Sequence, residues 1–148
     1  MGSSTPGSQV FAPTAAADHS RFVQRIRRRY AAELPLLRAG VPDAQSMLAT
    51  VRALRDGGRD LGSALRAMRQ LVLERLAVLD VEQAAALDDV TVAMTTLAEV
   101  ALELALEQAC AECDARYGAP LNERGERIDF WIVGMGKAGA RELNVSSD

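Results

Sequence analysis

The chain has 148 residues, enough for one domain with a hydrophobic core, and its net charge of −3 excludes the broad positive field that attracts nucleic acid. Ala and Leu carry most of the apolar content because aromatic residues make up only 4% of the sequence, and this composition favours helices. No apolar run approaches the ~20 residues of a membrane span, the first residues lack the pattern of a secretory signal, and the two cysteines imply no disulfide framework, so we expect a cytoplasmic protein.

The first predicted helix follows a polar start. Residues 1–17 are rich in Gly, Ser, Pro, Thr and Ala, a composition typical of a disordered tail. Asp18 or Ser20 can then cap a helix that runs to about Arg38. Pro35 lies late in this segment, so we expect the helix to kink or to end early.

Two further helices are predicted from their caps and their apolar stripes. Asp43 marks the start of the second helix, and Gly57-Gly58 marks its end. Asp60 can cap the third helix, which fades near Asp80. Apolar residues recur in both segments at three- and four-residue spacing, as they do on the buried face of a helix.

The fourth predicted helix is the longest. It begins at Asp88 or Asp89 and reaches about Arg116, where Tyr117–Pro120 ends it. Its apolar residues keep the helical spacing throughout. We therefore predict a helical region over residues 18–118 and a separate unit after it.

The spacing of the apolar residues changes in that last unit. Ile128–Val133 is a short, nearly continuous apolar run, which is typical of a buried strand. Gly134, Gly136 and Gly139 follow at once, and glycines there let the backbone turn sharply and leave amides free to bind phosphate. Because a lone strand is not a stable sheet, we interpret residues 119–148 as the first strand and glycine turn of a truncated α/β domain.

The glycine cluster has three interpretations on the residues alone. Gly134, Gly136 and Gly139 match the G-x-G-x-x-G pattern of a dinucleotide-binding domain, which also needs a full helix next and an acidic residue ~20 positions later. The cluster can instead be a structural turn in a non-enzymatic helical interaction module. In the third interpretation, Gly139-Ala140 and Asp148 resemble the opening of a nucleotidyltransferase signature, in which carboxylates hold two Mg²⁺ ions.

A longer stretch favours the third interpretation. Residues from Ile132 to Asp148 resemble the adenylyltransferase/adenylyl-removing enzymes of glutamine synthetase. In that family the stretch reads Gly-Met-Gly-Lys-Leu-Gly-Gly, a variable residue, Glu-Leu-Asn, a variable residue and Ser-Ser-Asp. The segments Phe22–Arg25, Leu65–Gln70 and Val90–Glu103 also resemble the helical N-terminal region of that family.

The resemblance implies a fold and an activity. The fold is mainly α, with the helical region leading into the truncated start of an α/β nucleotidyltransferase domain. The activity is Mg²⁺-dependent removal of AMP from a tyrosine of glutamine synthetase by phosphate, with release of ADP. A second domain outside this chain would add AMP from ATP. The partners implied are glutamine synthetase, a nitrogen-signalling regulatory protein, ATP, ADP and phosphate, with no nucleic acid and no membrane.

The resemblance also implies roles for individual residues. Asp148 would be catalytic and the first metal-binding carboxylate. Because the second carboxylate would lie two residues further on, the 148-residue fragment is expected to be inactive. The nucleotide-binding positions implied are Gly134, Gly136, Lys137, Gly139 and Ser147.

The chain departs from the family at two positions beside the turn. Ala138 stands where Leu is usual, and this change removes packing volume under the turn. Ala140 stands where the second Gly of the small pair is usual. If that position needs a positive φ, nucleotide binding suffers, and if it is helical, Ala is harmless.

Two charged clusters lie on the predicted helices. Arg25 and Arg27–Arg29 form a basic cluster on the first helix, which we interpret as a solvated face rather than a phosphate contact. Glu99, Glu103 and Glu107 form an acidic stripe on the fourth helix, and we expect it to face water rather than an arginine-bearing neighbour.

Overall fold

A computed structural model describes residues 16–145 of the chain. Two 3₁₀ turns, Ala16–His19 and Leu34–Leu36, lie on either side of the first α-helix. Within the described residues there is no β-strand, only an isolated bridge between Leu121 and Arg127, so the expected mainly α class is confirmed. No helix in this part of the chain is long and apolar enough to cross a membrane. The helices are α1 (Arg21–Arg29), α2 (Ala44–Asp56), α3 (Leu61–Gln83), α4 (Leu87–Tyr117) and the single turn α5 (Gly136–Gly139).

Side-chain caps fix the starts of the first three helices. Ser20, Asp43 and Asp60 each accept a hydrogen bond from the amide three residues later, at 3.4, 2.7 and 2.8 Å. At Asp43 the bond is reciprocal, because its own amide donates to the Ser46 hydroxyl at 3.0 Å and completes a capping box. These caps satisfy amides that have no partner inside the helix, and all three predicted caps are confirmed.

Several predicted boundaries were wrong. The helix α1 ends early, as expected from Pro35, but it stops at Arg29, well before that proline, and the amides of Glu33 and Leu34 then both donate to the Tyr30 carbonyl. The tail predicted ahead of α1 extends too far toward the helix, because Ala17, its last residue, lies in a 3₁₀ turn and is buried. The earlier part of that predicted tail lies outside the described residues.

The later helices also differ from their predicted bounds. The helix α3 continues past Asp80 to Gln83, where Ala84 adopts a left-handed conformation (φ 49°) and ends it. The helix α4 begins at Leu87, one or two residues before the predicted start, and ends at Tyr117 with Gly118 as its C-cap, close to the predicted end. Short-range signals therefore placed every long helix but not every end.

The core forms around α3. This helix contacts α1, α2, α4 and the first 3₁₀ turn. The helix α4 is buried only in its first half, since none of its residues after Val100 is fully buried. The body of the protein is thus a helical cluster from which the second half of α4 extends. The core side chains come from α1 and its C-cap (Ile26, Tyr30), α2 (Met47, Val51, Leu54), α3 (Met68, Leu71, Val72, Leu76) and α4 (Met94, Leu97, Val100).

A partly buried ion pair joins α1 to α3. Arg27 Nε donates to the Glu74 carboxylate at 2.7 Å, and Glu74 is only 6% exposed. Arg27 also pairs with Asp18 in the first 3₁₀ turn. The hydrogen bond to Glu74 raises the pKa of the Arg27 guanidinium above its ordinary value. One member of the predicted basic cluster is therefore a structural residue, since it holds three elements together.

Candidate functional site

The segment that carries the glycines starts with a tight turn tied to the end of α4. The Asn122 side-chain oxygen accepts hydrogen bonds from the amides of Arg124 and Glu126, at 2.9 and 3.0 Å. Arg127 then reaches back to Asp114 of α4, at 2.6 Å, and this hydrogen bond raises the pKa of Arg127. The chain consequently reverses after α4 and runs back along it.

The predicted strand at Ile128–Val133 is not formed in the described part of the chain. The Ile128 amide donates to the Pro120 carbonyl at 2.9 Å, but the amides of residues 129–135 donate to no described backbone carbonyl. A strand needs a neighbouring strand to pair with, and residues 16–145 contain none. The apolar side chains of this run are exposed as a result, with Trp131 at 84% and Val133 at 79%.

The conformation of the glycine turn requires glycine at two of its positions. A Cβ atom on Gly139 would lie 2.6 Å from the Gly134 carbonyl oxygen, which real Cβ atoms do not approach. Gly136 has a φ of 56°, in the left-handed region that favours glycine. Gly134 itself has room for a side chain, since a Cβ there would meet nothing closer than 3.4 Å. Gly136 and Gly139 are thus needed for different geometric reasons.

The two family departures have different consequences in this geometry. Ala140 has helical torsion angles (φ −80°, ψ −6°), so its methyl group carries no backbone penalty. Ala138 is half-buried and adjoins an apolar cavity of about 640 Å³ between the turn, α3 and α4, whose other walls include Leu65 and Leu97. The shorter side chain therefore leaves space beneath the turn, as expected of Ala in place of Leu.

Most amides that follow the turn are already bonded. The amides of Gly139, Ala140, Arg141 and Glu142 donate to the carbonyls of Met135, Gly136, Ala138 and Lys137. The first three amides of the turn, at 136–138, have no carbonyl acceptor among the described residues. If the turn binds phosphate, these three amides are the available donors.

The far end of the segment is also anchored on α4. Arg141 donates to the Thr96 hydroxyl at 3.1 Å and pairs with Glu99 at 3.5 Å. The Leu143 amide donates to the Thr95 hydroxyl at 3.3 Å, and the Leu143 side chain packs against the core. The acidic stripe was expected to face water only, so this part of the expectation was wrong for Glu99.

The candidate site residues are only partly within the described chain. The turn brings Gly134, Gly136 and Gly139 together with Lys137, whose side chain is exposed. Ser147 and Asp148 lie outside the described residues. Within residues 16–145, no group of three or more histidine, cysteine, aspartate or glutamate side chains could hold a metal ion. The Mg²⁺ site that the resemblance implies is at Asp148, outside the described residues.

The structure does not support the dinucleotide-binding interpretation. That interpretation needs a full helix directly after the glycines, because the helix N-terminus binds the pyrophosphate. Here α5 is a single turn, and residues 140–145 are not helical.

Two features of the structure were missed from the sequence, one at this site and one elsewhere. The first is the anchor at Arg141, a residue with a positive φ of 61° that lies 45 positions from Thr96. Such a long-range contact leaves no periodic signal. The second is a basic cavity between α1 and α3, for which the four-residue spacing of Arg25 and Arg29 was a usable signal.

The comparisons with known proteins agree on one family. The family model described as glutamate-ammonia ligase adenylyltransferase matches residues 7–148. A bifunctional glutamine synthetase adenylyltransferase/adenylyl-removing enzyme of Ralstonia nicotianae is 38% identical over an alignment covering 97% of this chain. Proteins of the same name from Aromatoleum aromaticum and Burkholderia mallei are 36% and 47% identical, over 90% and 60% of the chain.

The chain covers only a small part of these relatives. It spans 16% of the length of the Ralstonia nicotianae protein, 15% of that from Aromatoleum aromaticum and 10% of that from Burkholderia mallei. No solved structure matches the chain.

Proposed function

The chain belongs to the glutamate-ammonia ligase adenylyltransferase family, and we propose that it forms the helical entry and the first phosphate-binding turn of a domain that removes AMP from glutamine synthetase. The relatives carry both activities in their names, adenylyl transfer and adenylyl removal. We assign this chain to the removing half because its Asn144–Asp148 ending resembles the first of two nucleotidyltransferase domains. Asn144 has an interaction within the structure, so it is not a free donor.

The geometry of the glycine turn carries this proposal. The loop is so compact that a Cβ atom on Gly139 would lie only 2.6 Å from the Gly134 carbonyl oxygen. The loop has three amides at 136–138 without a backbone acceptor, and the exposed Lys137 lies among them. Amides together with a lysine are the donors that bind phosphate groups in nucleotide sites. The Arg141 contacts hold this loop on α4, which is part of the helical body.

The chemistry proposed for the longer protein is a phosphorolysis. An oxygen of inorganic phosphate attacks the phosphorus of the AMP group on tyrosine, and the bond from that phosphorus to the tyrosine oxygen breaks. The tyrosine takes up a proton, and AMP joined to phosphate leaves as ADP. The turn amides and Lys137 would stabilise the negative charge on the transferred group.

Asp148 is the one residue of this chain that we propose as a ligand of Mg²⁺. When bound, the metal would supply charge neutralisation to the phosphate oxygens. A two-metal site needs carboxylates that bridge both ions, and a single aspartate does not provide that. We therefore propose that the 148-residue chain has no activity by itself and that the longer protein supplies the remaining metal ligands, further nucleotide contacts and the contacts with the regulatory protein. We also propose that the longer protein acts in the cytoplasm.

A chimera tests the proposal. The corresponding N-terminal part of the Ralstonia nicotianae relative is replaced by this chain, and phosphate-dependent release of ADP from adenylylated glutamine synthetase is measured. We expect the chimera to be active and the 148-residue chain alone to be inactive. Asp148→Asn should abolish activity of the chimera, and Asp129→Asn, which changes an exposed carboxylate in the same segment, should leave it unchanged.

Two results would contradict the proposal. The first is turnover by the 148-residue chain alone. The second is an active chimera whose rate is insensitive to Asp148→Asn. An inactive chimera that is folded, as judged by circular dichroism, and that retains the relative's adenylyl-transfer activity would count against the assignment to the removing half.

A further inference from the structure

A basic cavity lies between α1 and α3, on the body of the protein. Its volume is about 500 Å³, and five arginines line it: Arg25, Arg29, Arg59, Arg66 and Arg69. The α1 pair is spaced by four residues, so both side chains project from one face of that helix. Arg59 lies just before α3, and Arg66 and Arg69 lie in the first half of that helix, which packs against α1 in the core. Two helices therefore present their arginines to the same space.

Most of this positive charge is not neutralised within the described residues. Arg59 pairs with Glu33 at 2.5 Å. Arg25, Arg29, Arg66 and Arg69 form no ion pair in residues 16–145 (the first fifteen residues of the chain contain no acidic side chain). Unpaired like charges brought close together oppose folding. A bound anion would remove this repulsion.

Two of the arginines are positioned by aromatic rings. The Arg25 guanidinium lies 5.8 Å from the centre of the Phe22 ring, and that of Arg29 lies 5.5 Å from the Tyr30 ring. Contacts of this kind restrict a long side chain without neutralising its charge. The guanidinium groups are thus partly preorganised while they remain available to an anion.

We propose that this cavity binds a small phosphate-bearing molecule. Guanidinium groups match phosphate oxygens with paired, charge-assisted hydrogen bonds, which makes arginine the preferred side chain for such ligands. The cavity volume lies in the range of small-molecule sites, roughly 300–1,000 Å³. Ser63 and Gln70 line it as further hydrogen-bonding groups, and Ile26 and Tyr30 contribute apolar surface.

The size and lining of the cavity favour a small ligand over an acidic protein surface. A protein partner would need a broad basic face, but the net charge of the chain is −3 and the unpaired arginines converge on one concavity. The basic cavity adjoins the one beneath the glycine turn, since Arg66 and Arg69 line both, whereas Arg25 and Arg29 line only the basic cavity. The proposal is tested at Arg25 and Arg29, so it does not depend on the proposed enzymatic function.

Titration with inorganic tripolyphosphate tests the site. Isothermal calorimetry on the 148-residue chain should show saturable binding that weakens as salt increases. Arg25→Ala/Arg29→Ala should weaken this binding by at least about tenfold, because two charge-assisted contacts are lost. The matched control is Arg21→Ala/Arg28→Ala, which removes the same charge from exposed positions of α1 that do not line the cavity. It should change binding by less than about threefold.

Several outcomes would overturn the proposal. Equal weakening of tripolyphosphate binding in the two double variants would mean that binding depends only on the overall charge of the protein. Absence of saturable binding to the unmodified chain would exclude the site. Binding of an oligoglutamate peptide but not of tripolyphosphate would mean an acidic-protein surface instead. Unchanged far-ultraviolet circular dichroism in both variants ensures that any loss is not caused by unfolding.

Discussion

The helical body and the segment after α4 differ in what fixes their structure. In the body, α3 packs against its neighbours on several sides, and a residue such as Leu71 is only 1% exposed. In the segment, apolar residues are exposed, and Trp131 reaches 84%. Two polar anchors, at Arg127 and Arg141, connect the segment to α4. The body is thus stabilised by burial of apolar side chains, whereas the segment is kept in place by local turn geometry and a few hydrogen bonds.

This difference separates stability from the proposed chemistry. Burial of apolar surface is the main source of folding free energy, so the body supplies the stability of the chain. The exposed apolar run at 128–133 supplies little, and a run of this kind usually marks a surface that another element covers. In the longer protein we propose that this run pairs as a strand of the nucleotidyltransferase domain. Changes in the two regions should therefore affect different measurements.

The largest effect is expected from a core truncation in α3. Leu71→Ala should lower the free energy of unfolding by about 2–5 kcal/mol, because it leaves a cavity in the core. Val133→Ala shortens a side chain that is 79% exposed, and it should change stability by no more than about 0.5 kcal/mol. Urea unfolding followed by circular dichroism measures both. Similar losses for the two variants would show that the segment is part of the cooperative core.

The next largest effect is expected at the ion pair between α1 and α3. Arg27→Ala leaves the nearly buried Glu74 carboxylate without its partner and should cost about 1–3 kcal/mol. Arg28→Ala, on the exposed side of the same helix, is the matched control. Arg27→Met combined with Glu74→Leu should recover most of the loss, since no charge then remains buried. Thermal unfolding that is equally insensitive to both single changes would contradict the role of the pair.

The same contrast explains how much the sequence could predict. Ser20, Asp43 and Asp60 act on amides three residues away, so the short-range pattern was sufficient to find them. The Arg27–Glu74 pair spans 47 positions and depends on how α1 packs against α3, which no local pattern reveals. Ile128–Val133 has the composition of a strand, but strand formation depends on a partner that the described residues lack.

The glycine turn shows the same limit in another form. The sequence correctly identified a sharp backbone turn at the glycines. It could not tell whether position 140 needs a positive φ; the structure places that conformation at Arg141 instead, while Ala140 is helical. The roles of Lys137, Ser147 and Asp148 stay predictions from the family resemblance.

A smaller effect is expected at the cap of α2, and it should depend on pH. Hydrogen bonds from Ser46 lower the pKa of Asp43 below its ordinary value of about 3.9, so the ionised carboxylate stabilises the folded state. This contribution is present above the unfolded pKa and is lost as the pH falls through the lower, folded pKa. Asp43→Asn keeps an oxygen cap but cannot titrate, so its stability should vary less with pH in the acid range. Parallel acid unfolding curves for the two proteins would contradict this account.

The smallest effect on global stability is expected at Gly139. Gly139→Ala forces a Cβ toward the Gly134 carbonyl and should open the turn, with a change of no more than about 0.5 kcal/mol in the stability of the body. Amide exchange at Ala140 and Glu142 should become faster, because their bonds close the turn. Gly134→Ala is the matched control, since its Cβ would make only ordinary contacts. Slower exchange at either amide in the Gly139 variant would rule out the clash.

Hydrogen exchange measured by mass spectrometry tests the central contrast most directly. In the 148-residue chain, amides in the middle of α3 should exchange only through global unfolding, whereas those of residues 129–135, which have no described backbone acceptor, should exchange nearly as fast as in an unfolded peptide. In the active chimera with the Ralstonia nicotianae relative, residues 129–135 should become protected while α3 is unchanged. Protection of residues 129–135 as strong as that of α3 in the chain alone would contradict the account.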